Sequence, residues 1–121
     1  MNKAFIMNGC LWRAIVVDAE SPVLIDRTYT QRVATTDPNT LCIYLSDELD
    51  GEFLRTVLIH ELAHCVMFSF HMLKTIHQMV EPRYWYEAEE WICNFIANYG
   101  LGIFDIAHYI LDNEDAWEDY I

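Results

Sequence analysis

The residues with the clearest chemical potential form the pentapeptide His60-Glu61-Leu62-Ala63-His64. In a helix, residues four apart lie on one face, separated by an axial rise of about 6 Å. Two imidazoles in this arrangement can bind one zinc ion at about 2.0–2.1 Å. Glu61 is turned by roughly 100° from His60, so it can take a proton from a metal-bound water without being a ligand. The spacing predicts a zinc site with Glu61 as general base.

The competing explanation is an amphipathic helix that carries these residues by chance. Both histidines lie in a segment dominated by Val, Leu, Ile, Ala and Met, where an imidazole needs a polar partner. The pentapeptide also uses two of only five histidines. A metal ion would supply the missing partner, so the zinc prediction is favoured.

A third ligand is expected because a catalytic zinc usually has three protein ligands and one open position. Acidic residues cluster downstream at Glu87, Glu89 and Glu90. The helix dipole alone favours acidic residues in a first turn. Glu89, however, lies on an apolar stripe with Ile92 and Ile96, where a carboxylate is costly unless a cation meets it. We therefore predict Glu89 as the third ligand, with Glu90 as the alternative.

The elements that position these residues are predicted from hydrophobic periodicity and turn residues. Strands are predicted at about residues 11–17, 23–33 and 41–45, with a turn at 37–40. Helices are predicted at about residues 50–68, 84–99 and 101–111, with Asp50 as an N-cap and Gly100 as a C-cap. Residues 71–83 are expected to form an irregular linker or a short helical turn, because Pro82 opposes a continuous helix. Strands followed by helices indicate an α+β fold.

Length and composition suit one folded domain over residues 1–121, with 54% hydrophobic and 14% aromatic residues. No export signal or membrane-spanning run is visible, so we expect a cytoplasmic protein that does not bind membranes. The four cysteines form no Cys-x-x-Cys pair and are expected to be reduced.

The chain is strongly acidic, with nineteen acidic and seven basic residues and a formal net charge of −12. Direct binding to nucleic acid is disfavoured, because it requires positive charge. The acidity indicates either solubility or attraction to a basic partner. Part of the acidic charge lies from Asp112 onward. In the same segment we expect Trp117 and Tyr120 to fold back on the core.

The helix that ends in the pentapeptide, the acidic start of the next helix and Phe95-Ile96-Ala97 together resemble the ImmA/IrrE-like zinc peptidases. These are gluzincins that are frequent in phages and mobile elements, and the resemblance covers about residues 41–99. It implies a minimal zincin-like domain, with a small sheet of about three strands on an active-site helix, a second ligand-bearing helix and a short C-terminal helix. Matching the family's Phe to Phe95 puts its ligand glutamate at Glu89. Ile92 and the end at Asn98-Tyr99-Gly100 depart from the family pattern.

The resemblance also implies an activity, that of a metallopeptidase acting on a protein or peptide such as a regulatory protein. The strand at 41–45 would be an edge strand beside the active-site helix that pairs with an extended substrate. The alternative function is a non-enzymatic acidic zinc protein, of the kind a phage uses as an inhibitor, that engages a basic partner. The presence of Glu61 favours the peptidase. The group that would stabilise the oxyanion stays open among His71, His77, Tyr84, Tyr86 and His108, and the sequence leaves the oligomeric state open.

Overall fold

A computed structural model describes residues 2–112, so the predicted positions of Trp117 and Tyr120 lie outside the described residues. The strands are β1 (Asn2–Met7), β2 (Cys10–Val17), β3 (Ala34–Asp37) and β4 (Cys42–Ser46). The helices are α1 (Gly51–Ser69), α2 (Leu73–Met79), α3 (Trp85–Phe95) and α4 (Leu101–Leu111). The fold is α+β, as predicted.

The strands form one mixed sheet in the order β1-β2-β4-β3. β1 and β2 are an antiparallel hairpin, and β2 runs parallel to β4. The hairpin turn places Asn8 and Gly9 at φ of 49° and 79°, and residues of these types adopt such angles readily. The sheet thus has four strands rather than about three, and β1 and β3 were not among the predicted strands.

The predicted strand over residues 23–33 is wrong. The segment begins with a 3₁₀ turn at Pro22–Leu24 and then makes a single β-bridge between Ile25 and Gln31. The Asp26 carboxylate accepts hydrogen bonds from the backbone of Thr28 and Thr30. Local side-chain bonds of this kind compete with strand pairing, so the chain forms a loop here and pairs only from Ala34 onward.

The edge strand beside α1 is β3 rather than the strand at 41–45 that the family resemblance implies. β4 lies in the interior of the sheet, hydrogen-bonded to β2 on one side and to β3 on the other. The predicted turn at 37–40 connects β3 to β4, and the pair is antiparallel. The sheet edge nearest α1 therefore belongs to the short strand that precedes this turn.

Helix α1 is held on the sheet by a buried cluster that includes Trp12, Ile43, Leu45 and Cys65. The indole N–H of Trp12 donates a hydrogen bond of 2.9 Å to the hydroxyl of Ser69 at the end of α1. A buried indole needs such a partner. This bond and the cluster fix α1 along its length against the sheet.

The predicted helix end at Gly100 is also wrong. Gly100 has φ of −59° and ψ of −45°, whereas a C-cap glycine adopts positive φ. The chain continues from α3 through a π-helical turn at Ile96–Gly100 directly into α4. The predicted linker contains α2, which ends before Pro82. In the described residues no single helix is long and apolar enough to cross a membrane, and α1 with α2 meets that test only as a pair bent by 85°.

Candidate metal centre

Helix α1 lies between the sheet and α3, and its residues pack in two separate clusters. Cys65 packs in the cluster against the sheet, while Ala63 and Met67 pack with Cys93 of α3. His60 and His64 lie near the α3 side. Their Nε2 atoms are 3.1 Å apart, so the two rings converge on one point as the spacing predicts.

Glu90 of α3 completes this point. One of its carboxylate oxygens lies 2.9 Å from Nε2 of His64, and the other lies 3.3 Å from Nε2 of His60. One ligand atom from each of the three residues falls within 4.8 Å of the others. The group formed by His60, His64 and Glu90 could therefore hold a metal ion.

The separations between these donor atoms fit a small tetrahedral ion. Ligands at about 2.0–2.1 Å from a tetrahedral zinc are about 3.3 Å from one another. The two imidazole nitrogens are 3.1 Å apart, and each lies 2.9 or 3.3 Å from one of the two Glu90 oxygens, which is close to that value. Two imidazole nitrogens and one carboxylate are also a donor set that zinc commonly binds in catalytic sites.

Glu89, the residue favoured by the sequence analysis, occupies a different position. Its carboxylate lies 3.6 Å from Nδ1 of His64, on the opposite side of the ring from Nε2. A carboxylate on that side commonly orients a ligating histidine and keeps its Nε2 available for the metal. The structure thus brings Glu90 to the Nε2 atoms and Glu89 to the back of one ring.

The difference arises from the phase of α3. Ile96 of the predicted apolar stripe is 39% exposed, and Tyr99, which continues the same stripe three positions later, is 63% exposed. The buried residues are Cys93 of α3 and Ala97 of the π-helical turn that continues it, at 0% and 9% exposure. Glu90 lies three and seven positions before them, on the same face. The face of α3 that packs on α1 is therefore the one with small side chains, and it differs from the predicted face.

The electrostatics of the site favour positive charge. Burial lowers the pKa of the His64 ring, but interactions with Cys93, Glu89 and Glu90 outweigh it and raise the pKa to about 12. Burial raises the pKa of Glu90, but hydrogen bonds from His60 and His64 outweigh it and lower the pKa to about 2. Without a metal the site stabilises a proton on His64, and a metal cation can replace that proton.

Glu61 is directed towards β3 of the sheet. Its residue is only 7% exposed, and the Thr36 hydroxyl on β3 donates a hydrogen bond to its carboxylate. The carboxylate is therefore not among the grouped ligand atoms. The role of Thr36 as a partner of Glu61 was not predicted, because the two residues are 25 positions apart and no local pattern connects them.

The candidates for an oxyanion-stabilising group have different surroundings. His77 stacks on Trp85 with ring centroids 3.8 Å apart, and His108 packs against Phe104. Tyr86 lies on α3, and its pKa is raised by burial and by the negative charge of Glu90. Of these three residues, Tyr86 is the one that shares α3 with Glu90.

Comparison with family models, curated proteins and solved structures finds no match for this chain. The resemblance to the ImmA/IrrE-like peptidases therefore stays a prediction that depends on the motif residues.

Proposed function

We propose that this protein is a zinc-dependent metallopeptidase with His60, His64 and Glu90 as ligands and Glu61 as general base. The observation that carries the proposal is the convergence of two imidazole Nε2 atoms and one carboxylate beside a separate, buried carboxylate. A purely structural zinc site needs no such additional carboxylate.

The zinc would supply an electrophile that polarises the scissile carbonyl and lowers the pKa of water to about 7. Glu61 accepts the proton of the attacking water and then donates it to the leaving amine. Thr36 orients this carboxylate through its hydroxyl hydrogen bond. Tyr86, on the same helix as Glu90, is the candidate hydrogen-bond donor to the developing oxyanion.

The substrate class follows from the edge strand β3. Ser46 donates a backbone hydrogen bond of 2.8 Å to Val33, so Val33 and the residues two and four positions after it pair with β4. The backbone groups of Thr36, whose side chain bonds Glu61, then point away from β4. An extended peptide added along this edge would pass close to the general base.

The test is proteolysis of a proteome-derived peptide library, with new termini identified by mass spectrometry. We expect Glu61→Gln to retain bound zinc and to reduce cleavage by about 10²-fold or more, because general acid–base catalysis contributes about 10²–10⁴-fold. Glu52→Gln is the matched control, since Glu52 is an exposed residue in the first turn of the same helix. Zinc-dependent cleavage that is equal in Glu61→Gln and wild type would contradict the assigned role.

A non-enzymatic acidic zinc protein is the second candidate, favoured by the excess of acidic residues. In that case Glu61→Gln would retain the biological effect of the protein together with its zinc. If the protein is a peptidase, Glu61→Gln would instead abolish its biological effect.

A further inference from the structure

The continuous helix formed by α3, the π-helical turn and α4 presents an unusually large apolar surface. None of the α4 residues is buried. Its large side chains Ile103, Phe104, Ile106 and Tyr109 are 56%, 61%, 62% and 82% exposed. A helix that is apolar on all sides normally lies inside a protein or an interface.

The apolar surface extends from α4 along α3. Trp91, Phe95 and Tyr99 follow one another at intervals of four residues, with ring centroids 5.7 and 5.8 Å apart. Trp91 and Tyr99 are each more than 60% exposed. Exposed patches of contiguous large apolar side chains commonly mark interaction sites.

An apolar groove adjoins this row of aromatic residues. It has a volume of 230 Å³, and its lining includes Leu62 and Val66 of α1 together with Ile92 and Ile96. The groove thus lies between two helices and is continuous with the helix that carries the exposed aromatic side chains. A third helix can pack in such a groove through side chains at intervals of three and four residues.

The segment of the sequence that carries this surface is strongly acidic. The 38 residues from Tyr84 to Ile121 contain nine of the nineteen acidic residues and none of the seven Lys and Arg residues. Their formal charge is therefore −9, out of −12 for the whole chain. The described part of this segment includes exposed Glu87 and Asp105.

This charge selects among the possible occupants. A second copy of the chain would bring two acidic segments together, and like charges across an interface are unfavourable. The residues after Asp112 include four acidic and no basic residues, so they are poorly suited to cover the same surface. A basic partner gains from both the apolar contacts and the charge.

We propose that α4 and the adjoining groove bind a basic amphipathic helix of a protein partner. Apolar side chains on one face of that helix contact Ile106, Tyr109 and the groove, and its Lys and Arg residues interact with the surrounding carboxylates. The surface is separate from the metal-ligand group, so the proposal holds whether or not the protein is a peptidase.

The test uses the full-length protein and a labelled synthetic peptide of leucine and lysine with the spacing of an amphipathic helix. We expect this peptide to bind by fluorescence anisotropy, and to bind about tenfold more tightly than a scrambled peptide of the same composition. A peptide with glutamate in place of lysine should bind more weakly still, because its charge repels the surface.

The double substitution Ile106→Ser and Tyr109→Ser should weaken binding about tenfold, because it removes two large apolar contacts. Ile6→Ser is the matched control, since Ile6 is 74% exposed on β1. An unchanged circular dichroism spectrum and thermal unfolding midpoint verify the fold of each variant. Equal binding by the double variant and wild type would reduce the interaction to charge alone and overturn the proposal.

Three further outcomes would overturn the proposal in favour of another occupant. We expect sedimentation to give a monomer for wild type, so a dimer that the double variant abolishes would identify a second copy. Binding to neutral phosphatidylcholine vesicles in preference to the peptide would identify a membrane. Stronger peptide binding after deletion of residues 113–121 would identify the C-terminal segment as the occupant.

Discussion

The two histidines and the neighbouring glutamate have different roles because α1 has two buried sides. His60 and His64 meet Glu90 near the α3 side, whereas Glu61 meets Thr36 on the sheet side. The rotation of roughly 100° between consecutive helical residues produces this separation. One short sequence thus supplies two candidate metal ligands and a carboxylate that is not among the grouped ligand atoms.

Replacing Thr36 with Val should impair the positioning of Glu61 without removing the metal. We expect kcat to fall by about tenfold at unchanged zinc content, with a smaller change in KM, because the base is less well oriented. The control is Thr35→Val, since the Thr35 hydroxyl donates instead to the backbone oxygen of Val23. Kinetics on the best library peptide, with a pH profile, check this. An unchanged profile and rate would show that Thr36 only packs against the helix.

Zinc affinity should rise with pH across the whole neutral range. The proton on His64 must leave before zinc binds, and interactions with Cys93, Glu89 and Glu90 raise the pKa of the ring to about 12. Below that pKa, one proton competes with zinc for the ring. Each rise of one pH unit lowers the proton concentration tenfold, so zinc affinity should rise roughly tenfold. An ordinary histidine would stop contributing above about pH 7.

Competition with a chromophoric chelator at several pH values measures this slope. Glu89→Gln is the informative variant, because it removes one of the groups that raise the pKa of His64. Its affinity should level off at a lower pH than that of wild type. A wild-type affinity that is constant above neutral pH would contradict the expectation.

The histidine pair was predictable from the sequence because i and i+4 positions of a helix converge by local geometry. The third ligand was not predictable in the same way, since it depends on the rotation of α3 against α1. Hydrophobicity favoured the Ile96 side of α3, whereas burial follows the small residues Cys93 and Ala97. The sequence therefore limited the choice to two glutamates, and packing distinguishes them.

At the scale of elements, the contact between α1 and α3 determines the distance from the histidines to Glu90. Ala97 is 9% exposed and Cys93 is fully buried in this contact. Small residues at such positions let two helices approach closely, and a larger residue must displace one of them. The geometry of the metal site therefore depends on residues that do not bind the metal.

Replacing Ala97 with Leu should lower both stability and zinc affinity. Overpacking of a buried contact costs about 1–3 kcal/mol, and displacement of α3 moves Glu90 away from the imidazoles. Asn98→Leu is the control, because Asn98 is the adjacent, exposed position. Thermal unfolding with and without zinc checks this. A zinc-induced rise in Tm equal to that of wild type would show that the contact does not set the site.

Long helices and interior strands followed from periodicity, so α1, β2 and β4 lie close to their predicted positions. The elements that were not predicted have weaker or competing local signals. β1 is exposed along much of its length, so it carries a weak hydrophobic signal. The loop after Leu24 carries strand-forming residues, but Asp26 fixes it by hydrogen bonds that no propensity describes.

At the scale of the whole molecule, chemistry and charge occupy different parts of the chain. The metal-ligand group and the edge strand lie where α1, α3 and the sheet meet. Most of the net negative charge belongs to the final third of the sequence, together with the exposed apolar helix α4. The proposed catalytic site and the proposed surface for a basic partner can therefore be altered separately.

Metal analysis of the purified whole protein tests the central claim most directly. Protein dialysed against trace zinc should contain one zinc ion per chain by mass spectrometry of the metal, with about tenfold or more loss of affinity in Glu90→Ala. Glu89→Ala should retain the ion with a smaller loss, and Glu87→Ala should match wild type. No bound metal in wild type, or retention of full zinc affinity by Glu90→Ala, would contradict the assignment of this centre.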